Sequence, residues 1–167
     1  MMLYRLSCLG VSLFCYGLAQ ALPCLLFFIV PNDFVGKYIP SGKLNAYGYP
    51  IDIYDYSGIE LTIAGLFGLL FMQIPPALGW LANPAYWLSS VFFMQQKYLN
   101  AAIAGSLAVI IGYLGTISAF WYDLPNGSSP NSHLALDRLL AGFWFWLAAP
   151  GIIALASVIR MTILRRT

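Results

Sequence analysis

Charged side chains are scarce in this chain. Of its 167 residues, 8% are charged and 60% are hydrophobic, whereas soluble domains usually carry about 25% charged residues. So few charges cannot cover the surface of a water-soluble fold, and a net charge of +2 is too small to attract nucleic acid. The composition therefore indicates an integral membrane protein whose surroundings are the lipid bilayer.

Residue types that catalyse reactions or bind metals are also scarce. The one histidine, His133, lies in a predicted loop, and no G-x-S-x-G or H-E-x-x-H pattern is present. The apolar stretches lack the embedded charges that ion-coupled transport usually needs. We therefore predict no catalytic residue, no cofactor and no metal site, and the protein is not expected to be an enzyme. The cysteines are expected to be packing residues; they are Cys8, Cys15 and Cys24.

Four apolar stretches organise the sequence, at about 6–30, 61–94, 98–121 and 139–159. Each is long enough for the roughly 20 residues that a helix needs to cross the hydrocarbon core. We therefore expect one all-α membrane domain over residues 1–167, a bundle of about four transmembrane helices. Two polar outer loops, at about 31–58 and 122–138, connect the spans, and the first of them is rich in Tyr, Pro and Gly.

The first stretch resembles a secretory signal at its start. Arg5, an apolar run and Ala19-Gln20-Ala21 imitate a cleavable signal. The apolar run continues to Val30, however, so we expect it to be retained as the first span, with a kink at Pro23.

The second stretch is too long for one straight span. Its 34 residues would make a helix of roughly 50 Å, against a hydrocarbon core of about 30 Å. The helix must therefore break at Pro75-Pro76 or at Asn83-Pro84. In the second case Asn83 is the expected N-cap and Pro84 the first helical residue.

Two arrangements satisfy this break. Either 60–82 spans and 84–96 lies in the inner interface, or 60–74 is a half-helix and 76–96 spans; we favour the second. Freed carbonyls and an amide side chain can line a small polar site at such a break. The candidates for that site are Gln73 and Asn83.

Small residues form a stripe along the third stretch, at a spacing of 4-3-4-3-4 that keeps them on one helix face. In lipid, close backbone approach supplies much of the drive for helix association. The stripe therefore predicts a packing seam, either inside the bundle or between protomers of a homo-oligomer. It consists of Ala101, Gly105, Ala108, Gly112, Gly115 and Ala119.

The basic residues indicate the orientation. One side of the predicted topology carries five basic residues and no acid, and the other carries three basic residues with all six acids. The positive-inside rule then places both termini in the cytoplasm of a bacterium, with the protein in its inner membrane. The basic residues of the two sides are Arg5, Lys97, Arg160, Arg165 and Arg166, and Lys37, Lys43 and Arg138.

Two elements resemble a known group of proteins. Gly79-Trp80-Leu81-Ala82-Asn83-Pro84 precedes an apolar run to Lys97, and Gly142-Phe143-Trp144-Phe145-Trp146-Leu147-Ala148 opens the last span. Together they resemble small bacterial inner-membrane proteins that carry a Trp-Leu-Ala-Asn-Pro element. The resemblance covers about residues 59–150. In that group serine often follows the last Leu-Ala, where this chain has Ala149. The resemblance implies a topology and a bacterial origin, and no activity.

Two functional hypotheses follow from the sequence. The first is a non-catalytic helical bundle whose aromatic and acidic outer face contacts a membrane or periplasmic protein partner, because tyrosine-rich surfaces offer large contact areas at low entropic cost. The alternative is a small oligomeric transporter or channel for a neutral or small polar solute.

Overall fold

The computed structural model describes residues 2–33, 38–43, 51–70 and 76–164. Within these ranges the chain forms both α-helices and a β-sheet. The α-helices are α1 (Met2–Ala21), α2 (Gly58–Leu70), α3 (Ala82–Met94), α4 (Tyr98–Ile117) and α5 (Ala141–Leu164). The strands are β1 (Pro23–Pro31), β2 (Ile53–Ser57), β3 (Leu124–Pro125) and β4 (Ser132–Leu139). Two 3₁₀ helices cover Pro76–Leu81 and Ser118–Phe120.

Among the residues that the structure describes, three helices are long and apolar enough to cross a membrane. They are Met2–Ala21, Tyr98–Phe120 and Ala141–Leu164, where the second combines α4 with the short 3₁₀ helix that follows it. At 1.5 Å per residue, 20 α-helical residues cover about 30 Å, the thickness of the hydrocarbon core.

The prediction of an all-α bundle is wrong. The first apolar stretch does not continue as a helix to Val30: α1 ends at Ala21, and β1 begins at Pro23. Proline lacks the N–H that a helix needs, and it disfavours helical geometry at the residue before it, here Leu22. Pro23 therefore ends the helix instead of kinking it, and the aromatic and branched residues that follow suit a strand.

The strands form one antiparallel sheet in the order β2-β1-β4-β3. The central strand β1 pairs with β2, where Phe27 lies opposite Tyr54, and with β4, where Phe27 lies opposite Leu136. Side chains alternate between the faces of a strand. Leu134 and Leu136 of β4 are buried against the helices, whereas Ala135 between them points to the other face.

Both corners between the sheet and the helices are hydrogen-bonded to the segment where α1 ends and β1 begins. Gly58 N–H, at the start of α2, donates to Leu22 O at 3.3 Å, and Leu140 N–H, just before α5, donates to Cys24 O at 2.8 Å. The sheet is therefore fixed directly onto the ends of three helices.

The second apolar stretch is interrupted, and residues 71–75, which include Pro75 and Gln73, lie outside the described residues. The 3₁₀ helix at Pro76–Leu81 leads without a gap into α3. This segment lies alongside α4, with Phe93 against Tyr98 at one end and Gly79 against Gly115 at the other. Six 3₁₀ residues and 13 α-helical residues together cover about 30 Å.

The prediction that Asn83 caps a helix is wrong. Helix α3 begins at Ala82, its N-cap is Leu81, and Pro84 lies in its first turn. Asn83 is instead a buried residue inside that turn, with 6% of its surface exposed. The preceding 3₁₀ turn already directs the chain into the helix, so the Asn83 side chain is available for other contacts.

Candidate functional site

A cavity of about 180 Å³ lies between the sheet and the helix ends. We call it the sub-sheet cavity. The sheet covers it with Leu25, Phe27 and Leu134, while α2 forms a side wall. The ends of α1, α4, α5 and the Pro76–Leu81 turn complete it, so nearly every element of the fold contributes to its wall.

Asn83 forms the polar end of the sub-sheet cavity. Its Oδ1 accepts a hydrogen bond from Trp146 Nε1 at 2.9 Å and from Tyr16 Oη at 3.2 Å. An indole N–H can only donate, so the atom that faces Trp146 must be the amide oxygen. The Asn83 amide thus joins α1, α3 and α5 through one acceptor atom.

A second cluster of polar groups lies where α1, α2 and the Pro76–Leu81 turn meet. The Thr62 hydroxyl lies 2.8 Å from Gly58 O and 3.2 Å from Gln20 Oε1, and Trp80 Nε1 donates to Thr62 O at 2.8 Å. All four residues also line the sub-sheet cavity. The polar groups therefore gather where helix ends meet, while the sheet side of the cavity is apolar.

No charged side chain lines the sub-sheet cavity among the residues that the structure describes. Its titratable groups are the Cys24 thiol and the Tyr56 phenol. Burial raises the pKa of Cys24 to about 12, and burial, followed by the Glu60 carboxylate, raises the pKa of Tyr56. Both groups are therefore neutral at pH 7, and the cavity presents dipoles without net charge.

The small-residue stripe of α4 lies against other helices of the same chain. An ideal Cβ on Gly105 would lie 3.0 Å from Pro150 O, and one on Gly112 would lie 3.0 Å from the Trp146 ring. Gly115 faces the Gly79 backbone, and Ala119 lines the sub-sheet cavity. Ala101 and Ala108 belong to the helical core, both with 0% of their surface exposed.

The two candidate residues for a polar site are placed differently. Asn83 lines the sub-sheet cavity, whereas Gln73 lies outside the described residues. Sequence reasoning missed the partners of Asn83, which are Tyr16 and Trp146. A tyrosine in the middle of an apolar helix was the available signal, because a buried phenol usually finds a hydrogen-bond partner.

Polar contacts at the sheet end of the molecule join segments that are far apart in the sequence. His133 Nε2 lies 3.4 Å from Asp123 Oδ2, and His133 Nδ1 lies 3.1 Å from Asn32 Oδ1. The Ser41 N–H and hydroxyl donate to Asp52. These hydrogen bonds are the main cause of the lowered pKa of Asp52. Within the described ranges, no group of three or more His, Cys, Asp or Glu side chains is arranged to hold a metal ion.

Glu60 stabilises the entry into α2. The N–H and hydroxyl of Ser57 donate to Glu60 Oε2 at 2.8 and 2.7 Å, as in one half of a capping box. These bonds favour the charged carboxylate and hold the pKa of Glu60 below its usual range. Such a carboxylate stabilises the folded state at pH values above the pKa that the group has in the unfolded chain. This stabilisation is lost as the pH falls through the lower pKa that the group has in the folded state.

We therefore expect Glu60→Gln to lower the free energy of unfolding at pH 7 by about 0.5 kcal/mol, because the amide oxygen can still accept from Ser57 while the negative charge at the start of the helix is lost. The difference from the natural chain should disappear as the pH falls below about 4.3, the ordinary pKa of glutamate. Denaturant unfolding in detergent between pH 3 and pH 8 measures this difference. Asp33→Asn, at an exposed carboxylate away from Ser57, is the control, and an equal pH dependence in both variants would contradict the capping role.

Comparison with protein-family models, with curated proteins and with solved structures returns no match to this chain.

Proposed function

We propose that this chain is a non-catalytic, multi-pass membrane protein whose folded outer sheet binds a membrane or periplasmic protein partner. One observation carries the proposal: the outer segments form a sheet fixed to the helix ends through the Gly58–Leu22 and Leu140–Cys24 hydrogen bonds. A surface that is already ordered loses little conformational entropy when a partner binds.

The chemistry of the outer sheet suits a protein partner with basic residues. Asp55 of β2 is exposed on the face of the sheet that points away from the cavity, and Asp137 of β4 is half-buried. Tyr54 points to the opposite face, like Tyr56, but it is exposed because β2 is an edge strand. The Tyr54 ring contacts the Tyr56 ring at 4.6 Å, which holds it in place. Rigid tyrosine rings provide contact area at low entropic cost. Asp137 is paired with Arg138 of the same strand, so the Asp55 carboxylate is the group that favours Lys or Arg on the partner.

Photo-cross-linking in intact cells tests this proposal. A photoreactive phenylalanine analogue at Asp55 should form a discrete adduct with one protein, whereas the same analogue at Gln95, in the exposed turn after α3, should not. Charge reversal by Asp55→Lys should reduce an adduct formed from a neighbouring site at Tyr54. If Asp55 and Gln95 give the same adducts, or if neither gives any, the outer sheet is not a recognition surface.

We also propose the bacterial inner membrane, with both termini in the cytoplasm. Basic residues collect at the end opposite the sheet: Arg5 Nη1 donates to Met94 O at 2.7 Å, and Lys97 lies in the turn between α3 and α4. Arg165 and Arg166 lie outside the described residues. By the positive-inside rule this end faces the cytoplasm. Alkaline phosphatase fused after Ser128 should be active, and fused after Leu164 inactive; the reverse pattern would invert the orientation.

The sub-sheet cavity favours a second candidate function, a small transporter or channel for a neutral or small polar solute. Its lining has no charge to bind an ion, but it has amide and hydroxyl groups. Purified protein in liposomes would then speed the reswelling driven by glycerol entry. An unchanged rate relative to empty liposomes argues against this candidate.

A further inference from the structure

We propose that the sub-sheet cavity is a binding site for a small neutral molecule that is largely apolar and carries a hydrogen-bond-accepting oxygen. A ring compound with a carbonyl group has this chemistry. The inference goes beyond the proposed partner-binding surface, because the cavity lies on the inner side of the sheet, between it and the helices.

The size and lining of the cavity favour an organic ligand over water. At about 180 Å³ it is comparable with an engineered apolar cavity of about 150 Å³ that stays dry and binds benzene. A buried water needs two to four polar partners, whereas the sheet side of this cavity presents Leu25, Phe27 and Leu134. Waters that fill the whole volume would lack partners along that wall.

Asn83 supplies an unused hydrogen-bond donor. Trp146 and Tyr16 occupy its Oδ1, as described above, and its Nδ2 makes no hydrogen bond to any residue in the described part of the chain. With 6% of its surface exposed, Asn83 is more than nine-tenths buried, and it lines the cavity. Because Asn83 lines the cavity and its NH₂ group has no acceptor among the described residues, the ligand should offer an oxygen that accepts from Asn83.

The other walls restrict the ligand further. Since the lining has no charged group, an ion would enter without compensation for its lost hydration, and a neutral ligand is required. Trp80, Trp146 and Phe143 bring aromatic rings to the lining, and aromatic faces and edges pack well against another ring. A neutral ring ketone satisfies both conditions.

The five tryptophans provide the readout for a test. Trp80 and Trp146 line the sub-sheet cavity, whereas the exposed Trp87, Trp121 and Trp144 report partitioning into the surrounding lipid. The intact protein, labelled with 5-fluorotryptophan in nanodiscs of synthetic phospholipid, is titrated with acetophenone and followed by ¹⁹F NMR. We expect saturable shifts at the two cavity tryptophans and small linear shifts at the other three.

A matched ligand tests the hydrogen bond to Asn83. α-Methylstyrene has nearly the shape of acetophenone but lacks the carbonyl oxygen, so it should bind on the order of fivefold more weakly, the usual worth of one hydrogen bond. Equal affinities would overturn the role of the Asn83 donor. A titration with 4-decylacetophenone shows whether the natural ligand is a membrane lipid or a free small molecule. Retained saturable binding supports a membrane lipid with a ring in its head group. Loss of binding, while acetophenone still binds, supports a free ring ketone.

Variants test whether the ligand binds inside the sub-sheet cavity. Ala77→Leu fills the cavity from the Pro76–Leu81 turn and should abolish the saturable shifts, and Ala119→Leu should do the same from another wall. Leu107→Phe adds bulk at a side chain that is 48% exposed outside the cavity and should leave binding unchanged. Shifts that persist in both filled variants, or that are linear and equal at all five tryptophans, would overturn the proposal.

Discussion

Gly115→Ala is expected to destabilise the protein more than any other replacement in the small-residue stripe. An ideal Cβ at this position would lie 2.4 Å from Gly79 N and 2.5 Å from Gly79 Cα. Backbone atoms cannot rotate away as a side chain can, so α4 and the Pro76–Leu81 turn would have to separate. We expect a loss of about 3 kcal/mol, at the upper end of the usual cost of overpacking. Thermal unfolding in detergent measures it as a lowered Tm.

Three further glycines make this a graded series. Gly79→Ala would bring a Cβ to 3.3 Å from Thr116 N, and Gly112→Ala would meet the movable side chains of Trp146 and Leu147 at 3.0 and 3.1 Å, so both should cost less. Gly10, in α1, has nothing within 4 Å of the added Cβ. Gly10→Ala should therefore be neutral or slightly stabilising, because alanine favours a helix over glycine by up to about 1 kcal/mol. A Tm for Gly115→Ala equal to that of Gly10→Ala would refute the close contact with Gly79.

Gly58→Ala is expected to loosen the sheet from the helices. Here the added Cβ would lie 2.1 Å from Ala19 O and 2.9 Å from Gln20 Cα. The corner between β2 and α2 would have to leave the end of α1 and lose the hydrogen bond from Gly58 N–H to Leu22 O. We again expect a loss of about 3 kcal/mol, now concentrated at the outer end, because parts of a protein can open separately.

Limited proteolysis from the outer side distinguishes this local opening from global unfolding. The Gly58→Ala variant should be cut near β2 at protease concentrations that leave the natural chain intact, while the helices stay protected. Gly17→Ala, in α1 and in open space, is the control for an added methyl group. Gly65→Ala should show a protease resistance between those of the two variants, since its Cβ would meet the movable Trp80 ring at 2.9 Å. Resistance of Gly58→Ala equal to that of Gly17→Ala would show that this corner tolerates a side chain.

Local patterns in the sequence predicted the apolar helices but not a four-stranded sheet. The stretches at 98–121 and 139–159 are uninterrupted and apolar. Helix α4 lies within the first stretch, and α5 begins within the second and extends to Leu164. The residues of β1 are equally apolar, and a short apolar run is compatible with either a strand or a helix. The deciding feature is the pairing of Phe27 with Leu136, which joins residues more than one hundred positions apart and leaves no local pattern.

The candidate site was predictable only in part, for a similar reason. Asn83 attracted attention because a proline follows it, which suggested a helix cap. In the structure the amide meets donors from Tyr16 and Trp146, on two other helices. Which helix faces meet depends on the packing of the whole bundle, so the partners of a buried polar group cannot be read from its neighbours in the sequence.

The central position of β1 also has a consequence for biosynthesis. The strand leaves the ribosome right after α1, but Leu136, which pairs with Phe27, is synthesised 109 residues later. At about 5–20 residues per second, this interval is about 5–20 s. During that time one edge of an apolar strand has no partner, and such edges promote aggregation. The pairing of β1 in the sheet is therefore completed only when β4 has been synthesised.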